Sequence, residues 1–519
     1  MQEQKQTLGG CIRTESMQLI LECYLFLMCS VLPLYMKNGY YELGEAKFVL
    51  YRVLSLGTGI VLIPFFMLQK RRLQRKAVDI AAVIYGILTA VSFVLAADHK
   101  TALWGTEGWR MGALTQLLML GFLFVFRVSF SCSRRMWEIC LPGPFLVFGL
   151  GVLNRFDIYP IAALERNHSF LSTIGNINWY CGFLSLFLAI GCGLLMQEQL
   201  RIPEQIFLTV YCLIGIMSAL TQGGESILLS LAALLAVLFL QGLSGRESWR
   251  SFLYLLIIGG AACEMIHLIR ILFPGRYNYD TDTICSALTA SHAGLILCAA
   301  AVFLMLLDML CSTAGVRWHG EKAGKLLMRI VPYVITVLPA CILIAQARGF
   351  FADGFGNARG LIWRISGEMY GSMTPLQKIF GVGQDGYGGY AYAIPQVRAA
   401  LINAFGDSRL TNAHSELLTF LINQGAAGVL GFLGLIFTGA YELVQRTLQE
   451  PPSEYSVVPR IAGKQRAEWQ NRRGGAFMGL LVAAAYMAGN SVSFGQITST
   501  PYLFLFLGCA LTVSRSDEL

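Results

Sequence analysis

Runs of about 17–25 apolar residues, each long enough to cross a bilayer, alternate along this chain with polar loops. Fourteen are legible, at 17–36, 46–68, 77–97, 111–127, 136–153, 179–196, 204–221, 226–243, 251–272, 286–308, 327–347, 415–440, 474–495 and 500–514. The pattern predicts an all-α polytopic membrane protein with about 14 transmembrane helices, forming a single membrane domain over 1–519. The first run continues into Tyr35-Met36-Lys37 without a small-residue cleavage site, so it is expected to be a span and not a signal peptide. Three longer loops break the rhythm, 154–178, 348–413 and 441–473. In 348–413, Leu361, Ile362, Ile365, Met369 and Met373 recur at helical spacing before Pro375, and Trp363 suits a helix lying on the membrane interface. A second amphipathic stretch, Val397, Leu401, Ile402 and Phe405, follows Pro395, with the glycine-rich GVGQDGYGGY (381–390) between the two. A folded cap with two short helices is expected there. The loop 441–473, with Pro451-Pro452 and mixed charge, reads as a flexible tether.

Composition supports this reading: 55% of residues are hydrophobic and only 13% are charged, against about 25% charged in soluble domains. Mean hydropathy is +0.58. The basic residues fall in alternate loops: Lys70, Arg71, Arg72, Arg75 and Lys76; then Arg127, Arg134 and Arg135; Arg246 and Arg250; Arg317, Lys322, Lys325 and Arg329; and Arg460, Lys464, Arg466, Arg472 and Arg473. The positive-inside rule puts these loops and both termini in the cytoplasm, and the 348–413 cap outside. The same alternation accounts for the net charge of +8 without a nucleic-acid partner, because the charge forms no single patch. The fourteen cysteines lie mostly within apolar runs and read as small packing residues.

Candidate chemistry gathers at the end of the cap. His414 is expected in the first turn of a helix capped by Thr411 or Asn412, where the positive end of the helix dipole keeps an imidazole neutral. A neutral imidazole can take a proton from a hydroxyl nucleophile; the plain alternative is an interfacial histidine satisfied by water. Arg348, Arg359, Arg364, Arg398 and Arg409 fall in the cap, and Arg110, Arg155, Arg166 and Arg276 in other segments predicted external. Guanidinium forks fit a diphosphate, although solvated or salt-bridged surface explains part of such a set. Asp280 and Asp282 form a D-x-D that suits a divalent metal, a spacing that also arises by chance. Glu225 opens a span from the predicted outer side.

Taken in order, these residues resemble the O-antigen ligase and O-antigen polymerase superfamily. Its signature of a histidine, then Asn, Ser or Gln, nine residues and G-x-x-G is met by His414, Ser415, Gly425 and Gly428. An arginine four residues before a tryptophan, then a proline and a G-x-G turn ending in an aromatic, is met by Arg359, Trp363, Pro375, Gly381, Gly383 and Tyr387, with Asp385 inside the turn. Gly175, Asn176, Ile177 and Asn178 supply a G-N-x-N, and ALWGTEGWRMG, which contains Arg110, looks like a further element. The resemblance spans about residues 100–440. One departure stands out: where the family often has Ser-Arg at the outer start of a helix, this chain reads Gln222-Gly223-Gly224-Glu225-Ser226, with Arg110 or Arg276 as possible substitutes.

The resemblance implies a metal-independent inverting glycosyltransferase, without a cofactor, at the outer face of a bacterial cytoplasmic membrane. Its donor would be a polyprenyl-diphosphate-linked glycan and its acceptor a glycan, lipid or protein hydroxyl, both met at the lipid bilayer. His414 would be the base and Arg359, with Arg364, would stabilise the departing diphosphate. Arg110, Asn176, Asn178, Ser415, Asp385 and Tyr387 would bind substrate, and G-x-x-G would permit close helix packing behind the histidine. A repeat-unit polymerase and a lipid-linked sugar transporter or flippase are the alternatives. Concentration of the polar motifs in one cap favours an enzyme over a transporter, which tends to carry midplane charges on broken helices.

Overall fold

A computed structural model describes residues 15–67, 76–161, 164, 166–167, 169–197, 200–277, 284–406, 409–451 and 459–512. The chain runs α1 (Glu15–Leu34), α2 (Leu43–Met67), α3 (Ala77–Val94), α4 (His99–Trp104), α5 (Ala113–Ser129), α6 (Arg134–Ile139) and α7 (Pro142–Arg155). A two-stranded antiparallel hairpin, β1 (Phe170–Leu171) and β2 (Gly175–Asn176), leads into α8 (Ile177–Leu195). Then come α9 (Ile202–Leu220), α10 (Glu225–Gly242), α11 (Arg246–Leu272), α12 (Ile284–Thr289), α13 (Ala293–Thr313), α14 (Glu321–Met328) and α15 (Val331–Ala347). The cap follows as α16 (Phe355–Ser372), α17 (Pro375–Phe380), α18 (Tyr387–Ala393) and α19 (Pro395–Phe405). The chain closes with α20 (Glu416–Asn423), α21 (Gly425–Thr447), α22 (Pro459–Gly489) and α23 (Thr500–Ala510). Asp280, Asp282, Lys70, Arg71, Arg72 and Arg75 lie outside the described residues.

The protein is an all-α, multi-pass membrane protein. Among the described residues nine helices are long and apolar enough to span a bilayer, or ten if α14 and α15, bent by 44°, form one span. Fourteen runs of hydropathy therefore do not become fourteen long helices. The 14 residues of α7 reach only about 21 Å at 1.5 Å per residue, short of the roughly 30 Å of hydrocarbon. Every residue of the short α23 is buried, so its apolarity serves the protein interior. α8 is the most enclosed span, with 83% of its apolar window buried against only 17% for α13. α22 packs on α8, α10, α21 and α23, and these form the core. α2, α3 and α13 present bare apolar faces, Ile60 and Ile296 among them, as lipid-facing helices do.

Three expectations need correction. The cap holds four helices, not two, and Trp363 is buried against Phe351 and Phe355 instead of lying on an interface. Helices enter the 441–473 loop from both sides, α21 to Thr447 and α22 from Pro459, so little of it is left as a tether. Finally, the run after His414 is broken between α20 and α21. Gly425 sits there at φ +69°, and a Cβ would run into the backbone of Ile379 and Phe380, so this position requires glycine for its conformation and its contact. The break frees carbonyls at the end of α20, and the G-x-G turn satisfies them: Val382 N–H donates to Ile422 O (3.1 Å) and Gly383 N–H to Asn423 O (2.9 Å). The two glycine motifs are thus the two halves of one junction.

Candidate active site

His414 is a loop residue, two positions before α20, whose N-cap is Ser415. Its backbone is left-handed (φ +48°), a region in which histidine is tolerated better than most residues. Two local bonds hold it there: His414 N–H donates to Asn412 Oδ1 (2.9 Å), and Ala413 N–H to Thr419 Oγ1 (3.0 Å). The adjacent Ser415 hydroxyl is buried and donates to Gln346 Oε1 (2.7 Å), while Gln346 Nε2 donates to Ser491 O (2.8 Å). Ser415 therefore anchors the histidine turn to α15 and the α22 terminus. The imidazole stands edge-on to Phe494, ring centroids 5.2 Å apart. Burial pushes the imidazole down to about 4, and the Arg359 guanidinium adds to the shift. The neutral form expected from a helix dipole is present, but its cause is desolvation and a neighbouring cation.

Arg359 follows three successive left-handed residues, Gly356 (φ 58°), Asn357 (φ 59°) and Ala358 (φ 66°), at the start of α16. A left-handed turn costs about 1–2 kcal/mol for each L-residue with a Cβ, and such strain collects at functional sites. Here it delivers the guanidinium into a cavity of about 330 Å³, shared with Asn178, Asn357, Phe405, Arg409 and His414. Arg359 Nη1 donates to Glu225 Oε2 at 2.7 Å. The Nε of Arg359 is buried with no partner among the described residues. Glu225, from the Gln222–Ser226 stretch, thus occupies one face of the guanidinium. An ion pair with so exposed a partner, 49% for Glu225, is worth at most about 1 kcal/mol.

Of the other expected site residues, Asn178 alone joins this cavity. Asn176 caps α8, its Oδ1 accepting from Asn178 N–H (2.9 Å), and so aims its neighbour. Arg364 is spent on Asp353 and Glu368 at the cap surface, at 2.9 Å each. Tyr387 is fully buried, bonding Ser366 Oγ through its hydroxyl (2.8 Å) and Asn423 Oδ1 through its N–H (2.8 Å); it is framework of the helix junction. Arg110 grips Glu45 with Nε (2.8 and 2.9 Å) and Gly105 O with Nη1 (3.0 Å). Asp385 accepts from the N–H groups of Thr106 and Met111, both at 2.9 Å, and burial pushes its carboxyl up to about 6. Arg110 and Asp385 line a second cavity of about 1020 Å³, not the one around His414. Neither Arg110 nor Arg276 lines the cavity around His414, whereas Arg409 lines both cavities, and its guanidinium lies 5.4 Å from the Tyr392 ring centroid.

Arg409, Asn357 and Glu225 are the members of the site that sequence reasoning did not assign. Arg409 is one of five cap arginines with nothing in its spacing to single it out, and Glu225 meets Arg359 across 134 positions. The arrangement brings together a neutral base, two guanidinium groups and two amides around one polar pocket. No protein-family model and no curated protein matches this chain.

Proposed function

We propose that this protein is a glycosyltransferase of the O-antigen ligase type, moving a glycan from polyprenyl diphosphate to a hydroxyl acceptor at the outer face of a bacterial cytoplasmic membrane, with both termini inside. The observation that carries the reading is the meeting of His414 and Arg359 in one small cavity, the first neutral and the second with an unpartnered Nε. The diphosphate of the donor replaces Glu225 on Arg359 and takes Arg409 as its second cation. Charge builds on the departing diphosphate, and guanidinium groups placed beforehand stabilise it where water is scarce. The acceptor oxygen attacks the anomeric carbon from the face opposite the diphosphate. Its proton passes to His414, the anomeric C–O bond breaks, and polyprenyl diphosphate leaves. A lipid diphosphate is already a good leaving group, so the reaction does not require a metal.

Reconstituted protein supplied with a glycan on polyprenyl diphosphate and an acceptor extract tests this. Free polyprenyl diphosphate should accumulate, and the product linkage should have inverted anomeric configuration by NMR. Passage of intact donor between leaflets without cleavage would replace the transferase reading by a transporter.

A further inference from the structure

The second cavity is three times the size of the first and is built differently. Its walls include Gly386, Gly388 and Gly389, which bring bare backbone to the surface, and its charged side chains have both signs, Lys100 and Arg409 together with Glu107. The other charged groups there, Arg110, Asp98 and Asp385, are satisfied within the protein. Gln384 is fully buried in the wall; its Nε2 donates to Thr89 O (2.8 Å) and its Oε1 has no partner among the described residues. Buried polar atoms without partners are rare and call for an explanation. Tyr390 adds a half-buried aromatic ring. Balanced charge, exposed backbone groups and a ring suit a neutral, hydroxyl-rich ligand and not an anion. Thr411 lines this cavity, His414 the smaller one, and Arg409 both, so the two spaces adjoin at the 409–414 segment.

We propose that the 1020 Å³ cavity is the acceptor subsite, holding a neutral glycan whose reacting hydroxyl reaches past Arg409 to His414. The assignment rests on the transferase reading above. It gives the two cavities separate tasks, diphosphate in the small one and acceptor sugar in the large one.

Gly389 allows a clean test. It lines the cavity, and a Cβ there meets nothing within 4 Å, so Gly389→Trp and the smaller Gly389→Leu add bulk at the cavity wall without a clash at Cβ. Gly371, equally open and lining neither cavity, gives the control Gly371→Trp. Purified full-length protein in detergent would be assayed against a panel of immobilised neutral oligosaccharides and, separately, for binding of inorganic pyrophosphate. Wild type and Gly371→Trp should retain at least one neutral oligosaccharide. Retention should weaken about tenfold or more in Gly389→Trp, a loss of about 1.4 kcal/mol, and less in Gly389→Leu, while pyrophosphate binding stays unchanged in both. Equal retention by the Gly389 variants, retention of anionic probes alone, or no retention by wild type would overturn the assignment. Glycan retention by a wild type that binds no pyrophosphate would overturn the transferase reading, and with it the acceptor role, while leaving a glycan site.

Discussion

Two arginines, the buried Arg127 and the partly buried Arg359, illustrate how the same side chain serves two ends. Arg127, on α5, is 1% exposed and uses every nitrogen: Nε and Nη2 on Asp79, Nη1 and Nη2 on Glu442, and Nη1 on Leu511 O at 2.6 Å. Arg446 joins the same cluster through Glu442. Arg359 is 11% exposed and has one carboxylate, itself half in solvent, with Nε left over. A saturated guanidinium holds helices α3, α5 and α21 together; an unsaturated one is ready for a ligand. Burying a charge costs free energy either way, and only the second arrangement leaves hydrogen-bonding capacity for a substrate.

The contrast can be broken by exchanging the consequences of the two substitutions. Arg127→Ala leaves Asp79 without its arginine and Glu442 with only Arg446 and Lys76, a defect worth about 3–5 kcal/mol, and should sharply lower the thermal midpoint of the detergent-solubilised protein. Arg359→Gln should leave that midpoint within a few degrees of wild type but reduce transfer about 10²–10³-fold. If Arg359→Gln unfolded the protein and Arg127→Ala spared it, the distinction would be lost. Gly425→Ala should destabilise by about 1–3 kcal/mol, because the αL strain and the contact with Ile379 add. Gly428→Ala, whose Cβ would run into Gln424 Cβ in an ordinary helical backbone, should also destabilise, through the clash alone. Both are read by urea-shifted or thermal unfolding. Glu225→Gln sharpens the picture further: freeing Arg359 should lower the donor KM a few-fold, about 0.5–1 kcal/mol, with kcat little changed. A raised KM would mean that Glu225 positions Arg359 and does not compete for it.

The smallest effect is on pH. With His414 near 4, kcat/KM should fall only when acid protonates the free enzyme below about that pH. A bound diphosphate brings negative charge beside the imidazole and raises its pKa, so the acid limb of kcat should lie higher than that of kcat/KM. Arg359→Gln removes a cation and should move the limb of kcat/KM upward. A limb that stays in place would separate the two side chains electrostatically.

The sequence was legible where hydropathy or motif spacing carries the information. The all-α membrane class, the folded cap between α15 and α20, and the region holding His414, Arg359 and Asn178 could be read directly. Lengths of helices could not, because an apolar run such as that of α23 looks the same whether it faces lipid or lies inside the protein. Nor could the break at Gly425, since hydropathy does not register φ and the G-x-x-G spacing reads equally well as helix packing. The partner that explains the break, the 381–383 turn, lies about forty residues away and meets it only in the folded chain. Arg364 and Arg110 looked as suited to a phosphate as Arg359. What separates them is occupancy: Asp353 and Glu368 take one, Glu45 and Gly105 the other.

The central claim is that His414 acts as base over a donor held by Arg359. Its most direct measurement is transfer by reconstituted His414→Ala beside wild type, with binding of the polyprenyl-diphosphate glycan read in the same vesicles. The account predicts a loss of about 10²–10⁴ in transfer rate with donor affinity within about twofold of wild type, since the imidazole contributes a proton acceptor and not a charge. Undiminished transfer in the alanine variant would contradict it.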